Sequence, residues 1–409
     1  MATDPKPSVS PTSTTSEPLA TEIRQALGSG LGDFNLRELL GWLLSSVGLA
    51  ERQAYLERIL HDNPNGFYDR SLQLGTLPVE LRVPRTRTGD FRPASLPAPY
   101  QRGYGEETQA LLLGLLASSR SLNSAKDALQ KMGLSSSQQD LDRVAVALIE
   151  ELELRNSRPL DCDLLALFLD GKYVEFRDGD RLRSACIYVV VGLRRDGRKQ
   201  VLTCMARAGR ENLEDWKVVL RSLLERGLRR VLILVQDDFS GLLPITQSLF
   251  PNADVQLCVV HMQRNAKTHL SKADAVEFQQ RWRAIKASWN LEVAQQQFEE
   301  LSDRFAKTYP TFIAELRKKR QHYLAFLPYP ESIRRSFSTT NQVEAINNQL
   351  EIMRRNSGGY FHSEDTLKLK LGLAISSLEE GRWRSPARSI CAVLHQLNAM
   401  FQSRFEAAA

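Results

Sequence analysis

Two short apolar runs each close on a carboxylate: LLALFLD ends at Asp170 and VLILVQD ends at Asp237. Apolar runs of this length, bounded by turn residues, read as strands buried on both faces. A buried sheet is therefore required, with an acid expected at the C-terminal end of each strand. A third segment, TTNQVEAINNQLE, has helical spacing and carries Glu344. Each acid has an ordinary reading as well. Asp170, followed by Gly171, suits a turn; Asp237 and its neighbour Asp238 suit the entry to the helix SGLLPITQSLF; Glu344, three residues after Asn341, suits the second half of a capping box. Brought together, the three make an oxygen-ligand site for magnesium or manganese. Magnesium is usually held by one or two carboxylates with waters and substrate phosphate. Two such ions serve in-line displacement at phosphorus by activating the attacking oxygen and stabilising the leaving one.

The words around these acids are LDGKYVEFRDGDRLRSACIYVVVGLRRDGRKQVL, ENLEDWKVVLRSLLERGL, VQDDFSGL, FPNADVQLCVVHMQRN and PYPESIRRSFSTTNQVEAINNQLE. In order and local spacing this set resembles the Mutator-family transposases of bacterial insertion sequences, from about Asn65 to Leu373. The resemblance implies a ribonuclease-H-like α/β catalytic core with an Asp-Asp-Glu triad and an all-helical insertion between the second Asp and the Glu. Matched motif by motif, the triad is Asp170, Asp237 and Glu344, with two Mg2+ or Mn2+ ions as cofactors. The gap to Gly-Leu selects Asp237 over Asp238, and Gln236 stands where the family usually has Ser. The pair Cys258 and His261 also belongs to the family pattern, and with Asn341 it is expected near the site. Structural zinc takes four ligands, and Cys162, Cys186, Cys204 and Cys391 offer no second close pair, so a packing role or a contact behind the acids is favoured.

From Leu164 the chain reads as four strands, then alternating helix and strand, the order of a ribonuclease-H fold. A crossover through the helix containing Trp216 then lays the Asp237 strand parallel beside the Asp170 strand. Glu344 follows Asp237 by 107 residues (344 − 237), which leaves room for an inserted helical domain at residues 275–332. Its aromatics, Phe278, Trp282, Trp289, Phe298 and Phe305 among them, suit either the insertion's own core or a partner contact. After the insertion, Val343, Ile346, Leu350 and Met353 form one helical face, and Glu351 is a second candidate for the third acid.

Ahead of the core, residues 1–20 are rich in Ser, Thr and Pro and read as a disordered tail. Residues 21–160 read as a mainly helical DNA-binding region with a small hairpin and an extended arm. Gly133 and Ser135 there separate two helices at helix-turn-helix spacing. Arg82, Arg85, Arg87 and Arg92 crowd one segment and are candidate phosphate contacts. Arg264, Arg354 and Arg355 are further candidates, and the core is expected to span residues 161–274 and 333–409. The net charge of +6 and pI near 9.0 favour a polyanionic partner. Five cysteines without a dense pattern and no long apolar span point to a cytoplasmic, nucleoid-acting protein with no membrane contact. The expected function is a DNA transposase that binds the terminal inverted repeats of its element, as a homodimer on double-stranded DNA, and cuts and joins strands there and in target DNA. A catalytically silent DNA-binding derivative and a plain nuclease of the same fold are the competing readings.

Overall fold

The computed structural model describes residues 36–59, 61–74, 77–96, 106–131 and 138–406. The tail read as disordered and the turn at Gly133 and Ser135 lie outside them. The chain divides into two compact units, Met1–Ala110 and Leu111–Ala409. No helix among the described residues is long and apolar enough to cross a membrane.

In the first unit, helix α1 (Leu36–Arg58) covers an antiparallel hairpin of β1 (Pro64–Leu74) and β2 (Leu77–Thr86). The alternation in VELRV decides the faces: Val79, Leu81 and Val83 are buried against Leu40 and Leu44, which leaves Arg82 outside.

The second unit is built on a mixed five-stranded sheet. Strands β3 (Asp163–Asp178), β4 (Arg181–Arg194) and β5 (Lys199–Ala208) form an antiparallel meander, and β6 (Arg230–Gln236) and β7 (Asp254–Leu257) add in parallel, giving the order β5-β4-β3-β6-β7. Helix α5 (Leu213–Glu225) links β5 to β6; its N-cap, Asn212, accepts a hydrogen bond from the Asp215 amide at 2.9 Å. Helix α6 (Leu242–Leu249) links β6 to β7. The expected parallel pairing of the two acid-bearing strands is present. One expectation needs correction: Asp170 does not end its strand. The residues KYVEFRD continue the pairing with β4 until Gly179, whose φ of +59° makes the turn, so Asp170 lies in mid-strand and is no turn former.

Strand β3 is buried on both faces. Leu167 and Leu169 pack towards Trp216, Val219, Leu220 and Leu223 of α5, while Ala166 and Phe168 belong to the larger core on the opposite side. That side carries α4 (Gln138–Arg155), α13 (Asn341–Asn356) and α14 (Glu364–Ser377). Helix α14 approaches α4 closely because Gly372 lacks a side chain; a Cβ there would lie 2.9 Å from the Leu148 carbonyl oxygen. Buried Lys370, also on α14, donates to the carbonyls of Leu116, Ala117 and Ser119, satisfying the C-terminal end of α2 (Glu106–Ser118), with α3 (Leu122–Lys131) following.

After β7 come α7 (Val259–His269) and then four helices with a core of their own: α8 (Lys272–Lys286), α9 (Leu291–Ala306), α10 (Pro310–Lys318) and the short α11 (Arg320–Tyr323). Trp282 is fully buried, stacked on Phe278 (6.3 Å between centroids) and edge-on to Phe298 (6.0 Å) and Tyr323 (6.3 Å). The aromatics of these helices thus fill a core of their own, one of the two roles their spacing allowed; the exception is Trp289, 78% exposed. Helix α12 (Glu331–Phe337) leads back to α13. The chain closes with α15 (Arg388–Cys391) and α16 (Leu394–Phe405), where Arg404 pairs with Asp254 at 2.9 Å beside β6.

Trp282→Ala is expected to destabilise the protein by about 3–5 kcal/mol through the cavity it leaves. Trp289→Ala should stay within about 0.5 kcal/mol. Denaturant unfolding followed by circular dichroism measures both, and equal effects would show that the insertion lacks this core.

Candidate active site

The last parallel pair between β3 and β6 is Phe168 with Val235. Two residues further along each chain stand Asp170 and Asp237, and the period of two places them on the same side as that pair. Burial works first on Asp170, which is only 6% exposed, and pushes its carboxyl up to about 7; the charges of Asp237, Glu344 and Glu211 push in the same direction, and that of His261 opposes them. The Asn347 amide donates to Asp170 Oδ2 at 3.0 Å, and the buried Asn347 Oδ1 has no partner among the described residues.

Glu344 comes from the first turn of α13. It is not half of a capping box. Asn341 is already the first helical residue, the N-cap is Thr340, and Thr340 makes no side-chain cap bond. The start of α13 is held instead by the beginning of α7: the Thr340 amide donates to Cys258 Sγ at 3.4 Å and the Val259 amide donates to the Ser338 carbonyl at 2.9 Å. Buried Cys258 therefore sets where Glu344 stands. One turn along α7, His261 Nδ1 lies 3.5 Å from Asp237 Oδ1. Burial disfavours the charged imidazole, but Cys258, Asp237 and Asp170 outweigh it and raise the basicity of His261. The Arg264 guanidinium, 3.2 Å from His261 Nε2, pulls the other way, towards a ring protonated on Nδ1. Arg264 also donates to Glu344 at 3.1 Å, so α7 and α13 are joined across the site.

A fourth acid, Glu211, does not stand out in the sequence. It precedes the N-cap of α5, and Trp216 Nε1 donates to its Oε1 at 2.7 Å. A Cβ on Gly171 would lie 2.8 Å from this carboxylate, so the glycine after Asp170 serves close approach. Burial raises the Glu211 carboxyl above the usual range, with Asp237 adding to it and the Trp216 bond and His261 opposing. Its one signal in the sequence is the pairing of Glu211 with Trp216 in ENLEDW, which has no fixed spacing to the other acids.

The alternative acids are engaged elsewhere. Asp238 accepts Lys319 Nζ at 2.8 and 2.7 Å and the Tyr323 hydroxyl at 3.2 Å, fastening α11 to the end of β6. Glu351 accepts Arg354 at 2.7 and 3.0 Å and Arg355 at 3.2 Å, which holds it down at about 2, with Lys172 at 3.9 Å. Arg355 remains exposed, as does Arg264. Arg82, Arg85, Arg87 and Arg92 are exposed in the first unit, where Arg82 and Arg52 lie over the Phe67 ring (5.2 and 5.1 Å) and Arg85 over Tyr68 (5.8 Å). Among the described residues, no group of three or more His, Cys, Asp or Glu side chains is arranged to hold a metal ion as it stands.

The raised Asp170 carboxyl has a stability consequence. Its folded-state value lies above the unfolded one, so its contribution to stability is intact below about pH 4 and lost as pH rises towards 7. In EDTA, Asp170→Asn should therefore raise the melting temperature at pH 8, by a gain on the order of 4 kcal/mol at most, and the gain should vanish near pH 4. Melting curves across that range check this, and a difference independent of pH would contradict it.

A family model described as "Transposase, Mutator family" matches residues 37–384. A transposase for insertion sequence element IS905 of Lactococcus lactis is 28% identical over 288 residues, 70% of this chain and 72% of the relative. The ISRM3 transposase of Rhizobium meliloti is 27% identical over 343 residues, 83% of this chain and 84% of the relative. Among solved structures, the Drosophila P element transposase strand transfer complex covers 75% of this chain and 82% of that chain at 14% identity, with a TM-score of 0.27, too low to carry an argument about the fold. The family match spans both compact units and every acid of the site, and the chain belongs to the Mutator family of transposases.

Proposed function

We propose that this chain cuts and joins DNA at the ends of an insertion sequence, with Asp170, Asp237 and Glu344 as its catalytic triad. The observation that carries this reading is the delivery of Asp170 and Asp237 by adjacent parallel strands to one end of a buried sheet, with Glu344 presented to them from α13. The antiparallel meander followed by two parallel strands, in the order β5-β4-β3-β6-β7, supports a ribonuclease-H-like core with α8–α11 as its insertion. Residues ahead of β3 supply DNA binding, and the active form pairs two element ends as a homodimer, since two duplexes have to be held at once.

The donor chemistry fits a hard divalent cation such as Mg2+ or Mn2+: hard carboxylate oxygens converge, and Asp170 is protonated more readily than usual because it is buried and its acidic neighbours are also negative. Asp170, Asp237 and Glu344 would hold it, which requires Asp237 and Glu344 to exchange His261 and Arg264 for the ion. When bound, such ions activate the attacking oxygen and stabilise the leaving one at phosphorus.

The chain's own groups do the positioning. Asn347 fixes the Asp170 carboxylate, Cys258 fixes the start of α13 and hence Glu344, and Arg264 offers an exposed guanidinium beside the acids to a DNA phosphate. In the first step water attacks the phosphodiester at the element end; the P–O3′ bond to the element strand breaks and its oxygen leaves as a 3′-hydroxyl. That hydroxyl then attacks a second phosphodiester, losing its proton as a new P–O bond forms and the target strand's 3′-oxygen leaves.

Asp170→Asn, Asp237→Asn and Glu344→Gln should each abolish cleavage of labelled end-bearing DNA with magnesium while leaving end binding nearly intact. Inactivation by Asp238→Asn or Glu351→Gln alone would overturn the assignment. Joined products distinguish strand transfer from simple nuclease action, and retardation without either product would identify a DNA-binding derivative.

Arg85→Ala with Arg87→Ala should weaken DNA binding and reduce the slope of log affinity against log salt by about 1–2, as two phosphate contacts are lost. An unchanged slope would remove these arginines from the interface.

A further inference from the structure

The triad reading leaves one acid at the site without a role. Glu211 reaches the middle of β3, at Gly171, from the α5 side of the sheet, opposite α13. Gly171 marks that side, because its α-carbon would direct a side chain straight into the Glu211 carboxylate at 2.8 Å. Trp216 belongs to the same side, in the core that also holds Leu167 and Leu169. Strand β6 stops pairing at Phe168, so among the described residues that edge of β3 carries no partner strand beside Asp170 and Gly171, while β4 pairs along the other edge.

Resting on the triad reading, we propose that Glu211 is a fourth carboxylate of the metal centre, holding the divalent cation from the face of the sheet opposite Glu344. Three observations support this. Glu211 sits against Gly171, the residue next to Asp170, and the charges of the two acids act on one another. The carboxylate is prepositioned: the buried indole of Trp216 takes Oε1, the Tyr173 hydroxyl accepts from the Glu211 amide at 3.2 Å, and among the described residues no donor occupies Oε2. The strand next to it is cleared of side chain at the one residue that would displace it.

A helix-anchoring role for Glu211 would need only its hydrogen bond to Trp216. Charge is what separates the two roles, because glutamine keeps an oxygen for the indole and removes the negative charge. The test uses the full-length protein without DNA, with Mn2+ binding followed by electron paramagnetic resonance and melting temperature measured alongside. Glu211→Gln should lower Mn2+ affinity about tenfold or more with little change in melting temperature. Gly171→Ala, which keeps the charge but pushes the carboxylate away, should also weaken binding and provides a second readout if the first variant folds poorly. Wild-type affinity in both variants, with binding lost in Asp170→Asn, would overturn the role of Glu211 and leave the triad standing. Wild-type affinity in Asp170→Asn as well would overturn the metal centre itself.

Discussion

The burial of Asp170 beside partly exposed carboxylates is the constraint on which the site depends. Asp170 is placed by strand pairing where water cannot solvate it, and Asp237, Glu344 and Glu211 are brought close enough to oppose its ionisation. Such a group costs stability unless a cation or a proton neutralises it. Much of the surrounding structure acts to hold the acids despite that cost: β4 and β6 flank β3, Cys258 fixes the entry to α13, Asn347 bonds Asp170, and His261 and Arg264 partly offset the charge.

The two faces of the sheet divide the work. On the α5 side the core is apolar and includes Trp216, which also holds Glu211. On the opposite side α13 and α14 pack on β3, and α13 brings both Glu344 and Asn347, one helical turn apart, towards Asp170. Asp238 and Glu351, chemically similar and next in sequence or on the same helix, are taken up by Lys319 and by Arg354 with Arg355. Those two acids fasten the fold through several cationic or hydroxyl partners each, whereas among the described residues Glu344 has the single exposed Arg264 and Asp170 has no cation bonded to it.

Much of this arrangement is legible in the amino-acid sequence. The apolar runs ending at Asp170 and Asp237 can only be buried strands, and a helix between them makes the pair parallel, as found. The insertion is visible in the helical spacing of Phe278, Trp282 and Phe298, although spacing does not say whether those rings face inward; a shared core of Trp282, Phe278, Phe298 and Tyr323 decides it. The extension of β3 beyond Asp170 is hidden because Asp-Gly is strong local turn chemistry, overridden here by the pairing of KYVEFRD with β4. The capping-box reading of Glu344 fails for a related reason: the helix starts one residue earlier than the local pattern suggests, held by Cys258 from a distant part of the chain. Asn347 is invisible in the sequence, and Glu211 shows only its pairing with Trp216, because their proximity to Asp170 is tertiary.

The proposed cation-binding centre draws its acids from β3, β6 and α13. Anomalous diffraction from crystals soaked in Mn2+ tests it most directly. The expected result is a peak bounded by Asp170, Asp237 and Glu344, with Asp237 and Glu344 turned away from His261 and Arg264. Crystals that bind Mn2+ only elsewhere, with those two pairs intact, would contradict it.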